Sequence, residues 1–116
     1  MFYIDSPTGE VVAFDFDAQS GELANERLVI EIPEDGSSPD GMTIDEEGML
    51  WIALWDGWRV IRVNPADGQI IGEIRLPVAR PTSCCFGGPN LDELYITTAS
   101  TRSWACGVKL LRPAAW

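Results

Sequence analysis

One acidic tetrad carries the clearest chemical potential in this chain. Pro39-Asp40-Gly41-Met42 sets a carboxylate between a rigid residue and a flexible one. Asp40 could ligate a hard cation through one oxygen and take a proton from an attacking water through the other. The same tripeptide also suits a plain turn, with Asp40 capping its own backbone. The chain has no histidine. That excludes histidine triads, imidazole acid–base chemistry and Cys/His zinc sites, so a metal site must be built from oxygen. Cys84 and Cys85 are adjacent and should point to opposite strand faces, which disfavours a bridge. With Cys106 they make an odd, sparse set that suits a reducing, cytoplasmic setting. With no histidine available, neither Cys84 nor Cys85 is an obvious nucleophile.

Other carboxylates read as solvated. Asp15, Asp17, Asp45, Glu46, Glu47, Asp56 and Asp67 fall in turns or on polar strand faces. Asp15-Phe16-Asp17 has calcium-like spacing but lacks an EF-hand's glycine and closing glutamate. Trp51, Trp55 and Trp58 fit sheet packing better than a sugar platform, with Trp55 the one to check for exposure.

These residues sit on short strands. Tyr3–Asp5, 11–17, 28–32, 42–44, 50–54, 59–63, 70–76, 84–86 and 94–98 are apolar or alternating runs, parted by Gly, Pro and Asp turns. No helical pattern is convincing. Tyr3-Ile4-Asp5, Trp51-Ile52-Ala53 and Tyr95-Ile96-Thr97 repeat at spacings of 48 and 44 residues. Pro39-Asp40-Gly41-Met42 and Thr82-Ser83-Cys84-Cys85 each open a unit, 43 residues apart. Four strands per period in the mid-forties predict an all-β β-propeller, with about two and a half blades present. Residues 1–35 should end one blade, 36–80 form a complete one, and 81–116 begin the next. Within the complete blade Asp40 should lie at the mouth of the inner strand, where Gly41 would let the backbone turn sharply.

Composition narrows the partners. A net charge of −10 repels nucleic-acid phosphates and anionic membranes. No apolar run reaches the ~20 residues needed to span a bilayer. Met1 leads straight into Phe2-Tyr3-Ile4-Asp5, a strand rather than a basic leader. The stretch from Thr101 to Trp116 has three basic residues and no acidic ones, unlike the rest. It reads either as non-native sequence or as a basic closing strand over Gly107–Leu111.

Three segments carry a specific resemblance: "YIDSPTGEVVAFDFDAQSGEL", "PDGMTIDEEGMLWIALWDGWRVIRVNPADGQIIGEIRLP" and "PTSCCFGGPNLDELYITTA". Over Tyr3 to Ala99 the chain resembles the senescence-marker / gluconolactonase / regucalcin family, in the later half of that family's domain. The resemblance implies a six-bladed propeller that hydrolyses a sugar lactone to an aldonic acid. It also implies one divalent cation, calcium or zinc, held by a glutamate, two asparagines and the Pro-Asp-Gly-Met aspartate. That last position is Asp40, both as metal ligand and as catalytic base. The other three ligands and the lactone-holding side chains would lie upstream, so the chain alone is expected to be inactive. The alternative from the same resemblance is a calcium-binding regulatory or scaffold propeller of the regucalcin type.

Overall fold

Alternation of apolar and polar residues over Glu10–Phe16 and Arg59–Asn64 suits strands with two distinct faces, and strands are what form. A computed structural model describes residues 1–100 and the backbone of Gly107–Leu111. Ten strands follow in order: β1 Phe2–Asp5, β2 Glu10–Phe16, β3 Leu23–Glu31, β4 Ser38–Ile44, β5 Leu50–Trp55, β6 Arg59–Asn64, β7 Gln69–Arg75, β8 Arg80–Gly87, β9 Glu93–Ala99 and β10 Gly107–Leu111. Every neighbouring pair is antiparallel. They make three sheets, ordered β1-β2-β3, β4-β5-β6-β7 and β8-β9-β10.

The middle sheet is covered on both faces, and β5 shows why its sequence is apolar throughout. Leu50, Ile52 and Leu54 pack with Val11 and Ile30 of the first sheet and with Ile32 just after it. Trp51 and Ala53 turn the other way, towards Cys84, Leu94 and Ile96 of the third. Side chains alternate across a strand, so one strand fills two separate cores. Sheets stacked face to face around shared cores are the propeller arrangement expected from the repeat. Two tight contacts tie the stack. Ser6 Oγ donates to the Pro39 carbonyl at 2.6 Å, joining the β1–β2 turn to β4. Cys84 Sγ donates to the Trp51 carbonyl at 3.4 Å.

Several boundaries differ from the sequence reading. β4 and β8 start at Ser38 and Arg80, well before the Met42 and Cys84 starts expected, and each takes in a proline. Both are sheet-edge strands, where a residue without an N–H need not break a ladder. β3 begins at Leu23 rather than Leu28 and bulges twice against β2. β10 pairs with β9 from Gly107↔Thr98 to Leu111↔Leu94. The expectations placed on Trp104, Cys106 and Trp116 lie outside the described residues.

Candidate functional site

Asp40 occupies a bulge. Pro39 pairs with Leu54 and Met42 with Ile52, so Asp40 and Gly41 together face Ala53 and β4 carries one extra residue. The plain turn offered as the alternative reading is therefore an irregular piece of edge strand. Pro39 is fully buried, and its carbonyl is fixed by Ser6. Asp40 is partly buried, and burial raises its carboxyl above the ordinary 3.8. Among the described residues it has no hydrogen-bond or ion-pair partner.

Gly41 does not work as expected. Its φ is not in the left-handed region, so no sharp turn requires a glycine there. What excludes a side chain is β8. A Cβ on Gly41 would lie 2.5 Å from Ser83 Cβ and 2.8 Å from its Cα, and closer still to Oγ. Glycine lets β4 and β8 meet backbone to backbone beside Asp40.

Of the other carboxylates, Asp45 departs most from a solvated surface group. Its side chain is 10% exposed. Oδ1 accepts from the backbone N–H groups of Glu47 (3.0 Å) and Met49 (2.9 Å). Oδ2 accepts from Trp51 Nε1 (2.9 Å) and from Arg62 Nε (2.9 Å) and Nη2 (2.6 Å). Burial alone would raise its carboxyl, but the Trp51 and Arg62 donors, the Met49 amide and the Arg62 charge outweigh it and hold it below 3.8. Asp56 pairs with Arg80 at 2.7 Å and Asp15 with Arg27 at 3.1 Å. Asp17 and Asp67 accept from backbone N–H groups two residues on, as turn caps do. Glu46 and Glu47 are exposed. Asp45, Glu46 and Glu47 line a cleft of about 390 Å³ with Arg62, Phe86 and Leu91. The cleft lies at the far end of β4, roughly 16 Å along the strand from Asp40.

The aromatic residues divide. Trp51 is buried and meets the Phe86 ring edge-on at 6.2 Å. Trp55 is half-buried beneath the Arg80 guanidinium, 4.8 Å from the ring centre. Trp58, not Trp55, is the exposed one, at 54%. Cys84 is buried and Cys85 is exposed, as side chains on opposite strand faces should be. Burial, then the neighbouring Cys85, pushes the Cys84 thiol up to about 12, which removes it as a nucleophile.

Whether a cation fits depends on the donors. Among the described residues no three His, Cys, Asp or Glu side chains group around one point. Calcium takes six to eight oxygens, and among the described residues acidic side chains do not supply them around one point. Asp40 fits as a single ligand, being a half-buried carboxylate with no partner among the described residues to compete for it. Among the described residues there is also no helix long and apolar enough to cross a membrane.

Comparison with known proteins agrees with this geometry. Residues 1–100 match the family model described as "SMP-30/Gluconolactonase/LRE-like region". The chain is 50% identical over 106 residues to regucalcin of Gallus gallus, covering 89% of this chain and 36% of that protein. Human regucalcin is 48% identical over 98 residues, covering 84% and 33%. The chain thus spans about a third of the length of these relatives. A solved luciferin-regenerating enzyme superposes with a TM-score of 0.80 at 35% identity, over 93% of this chain and 39% of that one. A regucalcin from Agrobacterium tumefaciens str. C58, described as a calcium-binding protein, superposes with a TM-score of 0.79 at 25% identity, over 88% and 35%.

Proposed function

Because the chain belongs to the SMP-30/gluconolactonase/LRE-like family, we propose that its blades supply Asp40 to a metal-dependent lactone hydrolase opening a sugar lactone to the aldonic acid. The observation that carries this reading is a half-buried carboxylate, raised by burial and without a partner among the described residues, at the point where two edge strands meet. An unpaired carboxylate in that state is a costly structural element and a useful chemical one.

In this reading Asp40 does two things. One oxygen joins the ligands of a divalent cation, calcium or zinc, and the other accepts a proton from the attacking water. A cation bound there would polarise the lactone carbonyl and stabilise its developing negative charge. Water oxygen bonds to the carbonyl carbon, and the ring C–O bond breaks. The proton held by Asp40 passes to the departing ring oxygen, which leaves as a hydroxyl. The Ser6–Pro39 hydrogen bond and the Gly41–Ser83 approach hold the bulge still while this happens.

The 116-residue chain alone, offering one carboxylate, is proposed to have no turnover and only weak cation binding. In the complete propeller that contains these blades, Asp40→Ala should abolish hydrolysis of sugar lactones. Full turnover in that variant rejects the assignment. A second reading, a calcium-binding regulatory or scaffold propeller, draws on the calcium-binding description of the Agrobacterium relative. It predicts calcium binding that Asp40→Ala weakens, with no turnover of any lactone in a panel tested with and without metal.

A further inference from the structure

Among the described residues no side chain bonds the Asp40 carboxylate, so its aim depends on the backbone that carries it. That backbone is poorly held by its own sheet. The β4–β5 ladder lapses between Pro39 and Met42, where Asp40 and Gly41 share one partner, Ala53. At a bulge the ladder no longer fixes each torsion. The restraints come instead from the sheets on either side. Ser83 of β8 crowds Gly41, and Ser6 of the β1–β2 turn bonds Pro39.

Of the two, the Ser6 contact is directional. A carbonyl oxygen only accepts, so the Ser6 hydroxyl gives its single proton to Pro39. Their 2.6 Å separation is at the short end of the range for such pairs. The oxygen so held belongs to the peptide unit that ends at the Asp40 nitrogen. Peptide units are planar, and the proline ring fixes φ of Pro39. The tilt of this unit is therefore set by ψ of Pro39 and φ of Asp40, and holding the carbonyl removes that one loose rotation. The donor stands on a firm base. Gly9 N–H and Thr8 Oγ1 both give to the Asp5 carbonyl, at 3.0 and 3.2 Å. Ile32 N–H gives to the Gly9 carbonyl at 2.8 Å, which ties the turn to the chain just past β3.

We propose that Ser6 is a positioning residue, which aims Asp40 from the neighbouring sheet through the Pro39 carbonyl. This rests on the role given to Asp40 above and adds a residue that acts only through another. The carboxylate then depends on how two blades are packed as well as on its own strand. A shift of the β1–β2 turn reaches Asp40 through one hydrogen bond and one peptide unit.

The test uses the complete propeller with Ser6→Ala, Ser6→Thr and Asp40→Ala. Ala removes the hydroxyl, while Thr keeps it. Three quantities are measured: the calorimetric Kd of calcium, kcat and KM on a sugar lactone, and the melting midpoint in chelator. Ser6→Ala should weaken calcium binding about tenfold and lower kcat by a similar factor with KM little changed; Ser6→Thr should restore both. The midpoint in chelator should fall by only a few degrees, as for one lost hydrogen bond. Unchanged Kd and kcat in Ser6→Ala overturns the proposal, as does a loss that Ser6→Thr leaves in place. A Ser6→Ala chain that no longer melts cooperatively overturns it too, since the hydroxyl would then be structural. Asp40→Ala keeps the two claims apart. Full turnover there with weakened calcium binding rejects the lactone reading and leaves Ser6 standing on calcium affinity. Lost turnover there with Ser6→Ala unmoved rejects Ser6 alone.

Discussion

Asp45→Asn probes the charge that fastens the β4–β5 turn to the third strand of its sheet. The amide would keep one acceptor oxygen but turn an NH2 group towards donors. Oδ2 of the native carboxylate serves Trp51 and both Arg62 nitrogens, so at least one donor is orphaned and the Arg62 charge loses its nearest partner. Breaking one side of a fully buried ion pair costs about 3–5 kcal/mol. Arg62 is 21% exposed and can recover some water, with Glu47 3.6 Å away, so about 2–3 kcal/mol is expected here. For a chain near 100 residues that lowers the melting midpoint by roughly 10–20 °C. The pH dependence gives a second handle. The folded state holds this carboxyl below 3.8, so the unfolded chain binds more protons between the two values. The stabilisation is complete above 3.8 and disappears as pH falls through the folded value. Urea unfolding followed by tryptophan fluorescence should show a wide gap between the native protein and the Asp45→Asn variant at pH 7 that narrows as acid is added. A difference under ~0.5 kcal/mol at pH 7 would refute the argument. So would an Asp45→Asn, Arg62→Met double-mutant cycle with no coupling.

Three further outcomes are expected. Gly41→Ala should destabilise by about 1–3 kcal/mol, because its methyl meets the Ser83 backbone, and Ser83→Gly in the same chain should recover only part of that, as Cα remains; calorimetry of the single and double variants checks it. Asp40 titrates in the opposite sense to Asp45: its folded value is raised, so its ionisation erodes stability as pH climbs past 3.8. In the absence of metal, Asp40→Asn should therefore melt higher than the native protein at pH 7 and alike at pH 3, and a lower midpoint at pH 7 would contradict the burial assigned to it. A maleimide should label Cys85 in the native state and Cys84 only on unfolding, which mass spectrometry of digested samples resolves.

The repeat makes the architecture readable without coordinates. The apolar run Leu50–Leu54 and the alternation in Arg59–Val63 each match a strand with its own burial pattern. Prolines hide the starts of β4 and β8, since Pro39 and Pro81 signal a break unless the strand is known to lie at a sheet edge. Asp45 reads as a solvated turn residue for a related reason: its local pattern is a turn, while its partner Arg62 lies 17 residues on and meets it only once β5 and β6 pair. At Asp40 the position is legible, but the isolation of its carboxylate is not. That depends on the side chains that strand register brings beside it, and the β5 residue behind Asp40 is Ala53, which has no polar side-chain atom.

The division of β5 between two cores constrains how this segment can change over time. Leu50, Ile52 and Leu54 serve one neighbour while Trp51 and Ala53 serve the other. Inserting or deleting a single residue would exchange the two sets, sending an indole into space shaped for aliphatic chains. Such a strand can drift by swapping one side chain for another of similar volume, but its length is locked. Gains and losses of residues must then accumulate in the turns, such as Asp45–Gly48 and Asn64–Gly68, so spacing between blades can vary while spacing within β5 stays constant.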